Sequence, residues 1–306
     1  MDHPLYRELL AVLARDLEVL PDKPDETPAN TLACLWNLAA GQRLAVSQIA
    51  STRLAELDEP AAAALKELIA RRLSGVPLAH LTGRQDFMGI VLQASAAALV
   101  PRLETELLGW SALAKLRACE AAAPWVVDLC TGCGNVALGL AVHAPHAKVW
   151  GSDLSAGAIA LARDNARFVG RPDVVFYEGD FAKPFDSPEF LGRVDVLTCN
   201  PPYISSGKVD TMPHEIRSYE PRLAFDGGPF GIGILQRLLK EAPRLLRPGG
   251  WLVFEVGLGQ GDALQQRLSR LEAFAEVEAF ADADGAIRAL AARRRSATTE
   301  GTTDAP

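Results

Sequence analysis

The amino-acid sequence predicts an α/β protein with two parts, a small bundle of helices followed by a mostly parallel sheet covered by helices on both faces. The sheet is predicted because seven short apolar segments alternate with stretches of helical spacing from Trp125 onward. The bundle is predicted because Leu and Ala recur at helical spacing from residue 1 to about residue 75. A chain of 306 residues is long enough for two domains of this kind.

The first part of the chain reads as helices that end in a hairpin. The leucines that indicate the first helix are Leu5, Leu9, Leu10, Leu13 and Leu17, and a turn follows at Pro21 to Pro28. From Pro77 the pattern changes to L-T-G-R-Q-D-F-M-G-I-V-L-Q, where turn signals at Gly83 and Gly89 predict a β-hairpin. We expect a helical domain at 1–80, a hairpin linker at 81–105, a sheet domain at 106–295 and a disordered tail at 296–306, which lacks apolar anchors.

The seven predicted strands follow one another along the second part of the chain. In order they are W-V-V-D, K-V-W-G-S-D, V-V-F-Y-E-G-D, V-D-V-L-T-C-N, W-L-V-F-E-V and two late candidates. An Ala/Leu helix, the stretch A-I-A-L-A-R-D-N-A-R-F and the region from Leu235 to Leu246 are among the predicted helices. This alternation predicts strands that are mostly parallel.

The composition limits the classes of partner. The 31 Lys and Arg residues against 38 Asp and Glu give a net charge of −7, and this argues against broad capture of nucleic acid, which depends on cations meeting phosphates. No apolar run approaches the roughly 20 residues of a membrane helix, and M-D-H-P-L-Y-R-E lacks the order of a signal peptide. We expect a cytoplasmic protein with no membrane contact, no direct nucleic-acid binding and five reduced cysteines.

The stretch V-D-L-C-T-G-C-G-N carries a glycine loop where a predicted strand turns into a helix. Gly132, Gly134 and Ala137 match a nucleotide-binding pattern, although a tight turn without a ligand has the same spacing. Asp153 ends the next predicted strand, where a carboxylate is placed to bond a ribose. A helix cap beginning near Leu154 is the alternative role for Asp153.

NAD and S-adenosylmethionine both contain such a ribose, so the glycine loop alone does not distinguish these two cofactors. Asp128 directly precedes the loop, and its carboxylate suits an ammonium group but repels a pyrophosphate, which favours S-adenosylmethionine. Cys130 and Cys133 form a C-x-x-C pair, but no second pair and no thioredoxin-like setting accompany it. His143 and His146 also lack partners for a metal, so no metal site is expected.

The tetrapeptide Asn200, Pro201, Pro202 and Tyr203 follows the strand V-D-V-L-T-C and is predicted to share one sheet edge with the glycine loop. Two prolines leave carbonyl acceptors in a stiff loop, Asn200 adds another carbonyl oxygen, and Tyr203 adds an aromatic face. This combination suits a planar NH₂ group that must be held against an electrophile. A simple proline turn is the alternative.

The motifs together resemble one family, the protein-(glutamine-N5) methyltransferases that modify release factors or a ribosomal protein. The motifs that carry the resemblance, in chain order, are P-L-A-H-L-T-G-R-Q-D-F, V-P-R-L-E-T-E, D-L-C-T-G-C-G-N, N-P-P-Y and Y-E-P-R-L-A-F-D-G-G. The resemblance implies a Rossmann-like class I methyltransferase domain at 106–295, with a seven-stranded, mostly parallel sheet, after a helical substrate-recognition domain. It also implies transfer of a methyl group from S-adenosylmethionine to a glutamine amide without a metal.

The resemblance assigns roles to particular residues. It places the cofactor loop on Cys130, Thr131, Gly132, Cys133 and Gly134, the ribose contact on Asp153 beside Leu154, and the adenine contact on Phe181 after Asp180. Asn200 and the Pro201 carbonyl would accept the hydrogens of the amide, with Asn200 also beside the cofactor, and Pro202 and Tyr203 would complete the pocket. The sequence departs from the family at Cys130, Cys133, Phe181 and Leu103, where Gly, Ser or Thr, Trp and Pro are more common.

Other functions remain open from the sequence alone. They are methylation of a small-molecule carboxylate or amide, methylation of adenine in nucleic acid, and NAD-dependent dehydrogenation or binding without catalysis.

Five further residues are candidates for structural roles. Arg102, Glu104 and Glu106 are expected either to pin the linker to the sheet domain or to be solvated, and Glu220 and Arg222 either to close the loop after N-P-P-Y or to form a structural salt bridge.

Overall fold

The computed structural model describes residues 3–296, so the predicted tail lies outside the described residues apart from Ser296. The described part contains a helical bundle, a hairpin and a seven-stranded sheet, in the order that the sequence predicts. None of the helices between residues 3 and 296 combines the length and apolar composition needed to cross a membrane.

The N-terminal bundle consists of four helices, α1 (Pro4–Asp16), α2 (Pro28–Ala39), α3 (Glu59–Leu73) and α4 (Leu78–Thr82), with a 3-10 helix at Val46–Ser51. Two of these helices have an N-cap side chain that accepts a hydrogen bond from the first turn. Thr27 accepts a hydrogen bond from the backbone of Asn30 at 3.2 Å, and Asp58 accepts one from Ala61 at 2.9 Å. The leucines of the predicted first helix pack inward against Trp36, so the bundle has a core of its own.

The hairpin of β1 (Arg84–Phe87) and β2 (Ile90–Gln93) is present where the sequence predicts it. Met88 and Gly89 form its turn with positive φ angles of 49° and 75°. Phe87 and Met88 are fully buried in the core of the sheet domain. The backbone of Gln93 exchanges hydrogen bonds of 2.7 and 3.1 Å with the side chain of Asn165, so the hairpin is fastened to the sheet domain.

The sheet contains the seven remaining strands in the spatial order β5-β4-β3-β6-β7-β9-β8. They are β3 (Trp125–Leu129), β4 (Lys148–Asp153), β5 (Val175–Glu178), β6 (Val194–Cys199), β7 (Leu246–Glu255), β8 (Phe274–Ala281) and β9 (Ile287–Arg294). Only the pairings made by β9 are antiparallel. The predicted seven-stranded, mostly parallel sheet is therefore confirmed.

Helices cover both faces of this sheet, and each face has a separate apolar core. The helices of this part are α5 (Leu103–Arg117), α6 (Asn135–His143), α7 (Ala156–Phe168), α8 (Ser206–Val209), α9 (His214–Tyr219), α10 (Gly233–Leu245) and α11 (Gly261–Ser269), with 3-10 helices at Lys183–Phe185 and Arg222–Ala224. The hairpin, α5, α6 and α7 pack on one face, while α10 and α11 pack on the other.

The order in which strands are added to the sheet reverses between β3 and β6, which are parallel neighbours although β4 and β5 lie between them in sequence. Helix α6, after β3, and helix α10, after β6, pack on opposite faces of the sheet, so a crevice opens at the carboxyl ends of these two strands. Ligands of open α/β sheets bind at such a point.

The segment between β6 and α10, residues 200–232, forms one wall of this crevice, and we call it the rim segment. It is fastened to the N-terminal bundle by a buried ion cluster, defined as Lys23, Glu26, Arg72 and Glu215. In this cluster Arg72 contacts Glu215 at 2.7 Å and Glu26 at 3.0 Å. The bundle therefore contacts the wall of the crevice directly.

Candidate active site

The glycine loop lies at the carboxyl end of β3 and has an unusual backbone. The φ angles of Cys130, Gly132 and Gly134 are 56°, 54° and 84°, so the chain turns sharply before α6 begins. A Cβ atom at Gly132 would have no neighbour within 4 Å. The loop therefore leaves open space above Gly132 in which a ligand can approach the backbone.

Asp128 lies beneath this loop with 1% of its surface exposed. Its carboxylate accepts hydrogen bonds from the hydroxyls of Thr131 at 2.6 Å and Thr198 at 2.7 Å. Burial raises the pKa of Asp128 to about 6, although these hydrogen bonds oppose the rise. The carboxylate thus holds the loop to β6 and keeps its negative charge at neutral pH.

Asp153 joins the glycine loop to the end of β4. One carboxylate oxygen accepts a hydrogen bond from the backbone of Gly132 and the other from Ser155, each at 2.9 Å. Ser155 itself begins α7, since its hydroxyl accepts from Ala158 at 3.2 Å. Burial raises the pKa of Asp153 above its ordinary value. Asp153 therefore connects the glycine loop to the start of α7, and Ser155 is the N-cap of that helix.

Phe181 and Asp180 form the side wall after β5. Phe181 has a positive φ of 59°, and its carbonyl accepts a hydrogen bond from the Ser152 hydroxyl at 2.8 Å. The guanidinium of Arg237 lies 4.9 Å from the Phe181 ring centre and pairs with the Asp180 carboxylate. An aromatic face is held in place on this side of the crevice.

The N-P-P-Y loop is held from behind by the D-G-G part of the Y-E-P-R-L-A-F-D-G-G motif. Ile204 donates a backbone hydrogen bond to the Phe225 carbonyl at 3.0 Å and accepts one from Gly227 at 2.8 Å. The carboxylate of Asp226 accepts from the Ser206 hydroxyl at 2.6 Å. A methyl group at Gly231 would overlap the carbonyl oxygen of Tyr203. The loop is therefore enclosed by backbone that has little room to move.

Two adjoining cavities share the N-P-P-Y loop. Ten of the predicted residues line the first cavity, namely Asp128, Cys130, Thr131, Gly132, Asp153, Leu154, Asp180, Phe181, Asn200 and Pro202. The second is lined by Asn200, Pro201, Tyr203 and other residues of the rim segment, together with Glu255 and Arg288. Five residues line both cavities and stand at the boundary between them, namely Leu99, Arg102, Thr105, Asn200 and Ala224.

Cys133 and Gly134 are predicted site residues that line neither cavity. Cys133 is buried, and burial raises the pKa of its thiol to about 12. Cys130 interacts with the buried thiol of Cys199 on the neighbouring strand. The sulfurs of the C-x-x-C pair therefore point to different surroundings, and Cys133 belongs to the core.

The residues around the linker and the rim segment have definite partners. Arg102 pairs with Asp22 at 3.0 Å and with Glu220, which also accepts from the Val100 backbone at 2.8 Å. Glu106 accepts from the Met88 backbone at 2.8 Å. The predicted pinning of the linker is therefore confirmed for Arg102 and Glu106, whereas Oε2 of Glu104 is buried without a hydrogen-bonding partner among the described residues.

Two other sequence candidates have structural partners. Arg222 pairs with Asp210 and Asp226 at 3.0 and 3.1 Å rather than with Glu220, and the pair with Asp226 helps to close the loop after N-P-P-Y. His143 contacts the Met88 carbonyl at 2.7 Å. No group of three or more His, Cys, Asp or Glu side chains within residues 3–296 is arranged to hold a metal ion.

Sequence reasoning missed four polar residues of the site, namely Thr105, Thr198, Glu255 and Arg288. Thr198 lies opposite Asp128 in the register of β3 with β6. Glu255 ends β7 and accepts a hydrogen bond from the Tyr203 hydroxyl at 2.7 Å. The position of Glu255 at the carboxyl end of a predicted strand was the available signal, because these ends meet at one edge.

Comparisons with known proteins agree with this geometry. Residues 123–278 match a family model described as "Methyltransferase domain", and residues 26–83 match one described as "PrmC N-terminal domain". The chain is 39% identical over 241 residues to a release factor glutamine methyltransferase of Moorella thermoacetica, covering 78% of this chain and 83% of that protein. Proteins of the same name from Geobacter sulfurreducens and Xylella fastidiosa are 38% and 40% identical, covering 76% and 69% of this chain and 78% and 76% of theirs.

Proposed function

This chain belongs to the release factor glutamine methyltransferase family, and from that premise we propose that its acceptor is a glutamine side chain of a peptide chain release factor. The chain is an S-adenosylmethionine-dependent protein-glutamine methyltransferase with a Rossmann-like catalytic domain. The observation that carries the proposal is the placement of Asn200, which lines both cavities, between the glycine loop and the N-P-P-Y pocket.

We assign the first cavity to S-adenosylmethionine. The open space above Gly132 accommodates a ligand against the backbone. The Asp153 carboxylate lines the same cavity at the end of β4, where a ribose would bind, and the Phe181 ring provides a face for adenine. The charge of Asp128 favours the ammonium of the methionine part. Cys130, Thr131, Cys133 and Gly134 would contribute the backbone of the loop, with Leu154 and Asp180 at the edges.

We assign the second cavity to the glutamine. Oδ1 of Asn200 and the carbonyl of Pro201 are the acceptors for the two amide hydrogens, and the ring of Tyr203 packs on the plane of the amide. Pro202 stiffens the loop between them. Burial and the neighbouring Glu255 raise the pKa of Tyr203 well above its ordinary value, so its hydroxyl stays protonated.

The chemistry depends on position because an amide nitrogen is a weak nucleophile. S-adenosylmethionine, when bound, supplies a sulfonium methyl group, and the electron pair of the nitrogen forms the N–C bond as the S–C bond breaks, leaving S-adenosylhomocysteine. Asn200 and Pro201 hold the amide hydrogens so that the nitrogen faces the first cavity. The surplus proton on the nitrogen then leaves to water.

We further propose that the helical domain at 1–80 recognises the release factor, that 81–105 form the linker, and that 106–295 carry the transfer. The contacts of the buried ion cluster with the rim segment support this division, because they bring the bundle to the wall of the glutamine cavity. A protein docked on the bundle would lie beside that cavity.

The test is methyl transfer from labelled S-adenosylmethionine to purified release factors, with ribosomal protein and a small-molecule extract as separate acceptors. We expect label on one glutamine of a release factor, located by mass spectrometry. Asn200→Ala should lose transfer while S-adenosylhomocysteine still binds in calorimetry and NAD does not. Label that appears only on a ribosomal protein or a small molecule would refute the proposed acceptor.

A further inference from the structure

Two buried side chains, Thr105 and Glu255, lie behind the residues that we assign to the acceptor amide. The Thr105 hydroxyl accepts a hydrogen bond from Nδ2 of Asn200 at 3.2 Å, and the Glu255 carboxylate accepts one from the Tyr203 hydroxyl at 2.7 Å. Only 1% of Thr105 and 2% of Glu255 is exposed. These side chains are thus placed to act through Asn200 and Tyr203.

The donor and acceptor roles of Thr105 and Glu255 determine which way the hydrogen bonds to Asn200 and Tyr203 run. An ionised carboxylate only accepts, whereas a threonine hydroxyl donates one hydrogen and accepts others. Burial and the nearby Glu104 carboxylate raise the pKa of Glu255, whereas the neighbouring hydroxyls of Thr105 and Tyr203 and the charge of Arg288 oppose that rise. Oε2 of Glu255 is buried without a hydrogen-bonding partner among the described residues, so it is available to accept from the Thr105 hydroxyl. A Thr105 hydroxyl that donates to this free carboxylate oxygen keeps its own lone pairs for the NH₂ group of Asn200, which contacts it at 3.2 Å.

The orientation of the Asn200 amide follows from this direction. Because Nδ2 is directed to Thr105, Oδ1 is on the opposite side of the amide group. Among the hydrogen bonds of residues 3–296, the Asn200 side chain takes part through Nδ2 and not through this oxygen. Oδ1 is therefore left for a donor that enters the cavities.

We propose that Thr105 and Glu255 are positioning residues for methyl transfer: Glu255 orients the Thr105 hydroxyl and the Tyr203 ring, and Thr105 fixes the Asn200 amide so that Oδ1 faces the acceptor NH₂. The proposal rests on the proposed function, which assigns Asn200 and Tyr203 to the acceptor. A reversed Asn200 would present its own NH₂ group to the substrate amide and would repel the hydrogens that it should accept.

Thr105→Val tests the proposal because it removes the hydroxyl and keeps the shape. We expect kcat to fall about 100-fold, the loss typical of a misplaced reacting group, with little change in KM for the release factor or in affinity for S-adenosylhomocysteine. Thr105→Ser should restore kcat to within a few-fold of the wild type. Thr82→Val is the matched control, since Thr82 is equally buried but bonds only the nearby backbone of Arg84.

Glu255→Gln tests the direction of the network separately. Glutamine still offers an oxygen to Tyr203, but its NH₂ group can donate to Thr105, which allows the Asn200 amide to reverse. We expect kcat to fall while the affinity for S-adenosylhomocysteine is kept. If Thr105→Val and Glu255→Gln both retain kcat within a factor of about two in an active wild-type background, the proposal is wrong.

A second readout does not depend on the acceptor. The side-chain ¹⁵N–¹H signals of Asn200, assigned by comparison with Asn200→Asp, should exchange slowly with solvent in the wild type and Thr105→Ser, and rapidly in Thr105→Val. If the wild type methylates no release factor, the proposed function fails, yet the signals still decide the role of Thr105. Unchanged exchange in Thr105→Val would overturn the proposed network.

Discussion

Replacement of Glu215 by Gln removes one of the two carboxylates of the buried ion cluster. The side chains of Lys23, Arg72 and Glu215 are 3%, 2% and 7% exposed, so solvent cannot replace the lost charge. Removing one partner of a buried pair typically costs about 3–5 kcal/mol. Since Gln keeps an oxygen that can accept a hydrogen bond, we expect the free energy of unfolding to fall by about 3 kcal/mol, near the lower limit of that range.

Urea denaturation at pH 7 measures this loss, and a double variant tests its cause. Lys23→Met combined with Glu215→Gln leaves Arg72 and Glu26 as a balanced pair, so a large part of the stability should return. Glu276→Gln is the control, because its pair with Arg293 is about half exposed and is worth about 0–1 kcal/mol. If Glu215→Gln costs no more than this control, the cluster does not hold the rim segment as we argue.

The pH dependence of the same variant has a definite sign. Burial raises the pKa of Glu215, but Lys23 and Arg72 outweigh burial and hold it below its ordinary value. A depressed pKa in the folded state contributes stability above the unfolded pKa of about 4.3, and this contribution is lost on acidification. The difference between wild type and Glu215→Gln should therefore be full at pH 7 and shrink below about pH 4.3.

Three further predictions concern the loops of the site. The pKa of Asp128 is about 6 in the folded protein and about 3.9 in the unfolded chain, so the wild type should gain about 2 kcal/mol relative to Asp128→Asn as pH falls from 7 to 4. A difference in urea denaturation that does not vary with pH would contradict this. Gly231→Ala should lower transfer about 100-fold with cofactor binding retained, because the methyl group overlaps the N-P-P-Y backbone. Gly228→Ala, where φ is also positive but the space is open, should be far milder, and equal losses in the two would refute the steric argument. The double variant Cys130→Ala, Cys133→Ser should bind S-adenosylmethionine and transfer methyl groups from labelled cofactor, since neither thiol is assigned a part in the reaction. Normal binding with complete loss of transfer would contradict this.

The sheet and the positions of the two main loops follow from local sequence patterns. Alternating apolar and helical segments determine the order of strands and helices, and the carboxyl ends of parallel strands must meet at one edge. This brings the loop at Gly132, the carboxylate of Asp153 and the N-P-P-Y loop together without any knowledge of long-range contacts.

The polar network behind these loops does not follow from local patterns. Asp128 meets Thr198 only because β3 pairs with β6 in one register, and Thr105 meets Asn200 across 95 positions of the chain. Nearness in sequence was also a poor guide to ion pairs, since Glu220 is turned inward to Arg102 while Arg222 faces Asp210 and Asp226. Such partners depend on packing, which a single sequence does not display.

The buried ion cluster also limits how the parts of this protein can be exchanged. Lys23, Glu26 and Arg72 belong to the bundle, whereas Glu215 lies in the rim segment. A chimera that takes its bundle from another enzyme inherits only one side of this set of charges. Unless the donor bundle carries matching cations, or Glu215 is replaced together with it, the graft leaves a charge buried without its counterpart. In this architecture the bundle can therefore be exchanged only together with its charged interface to the rim segment.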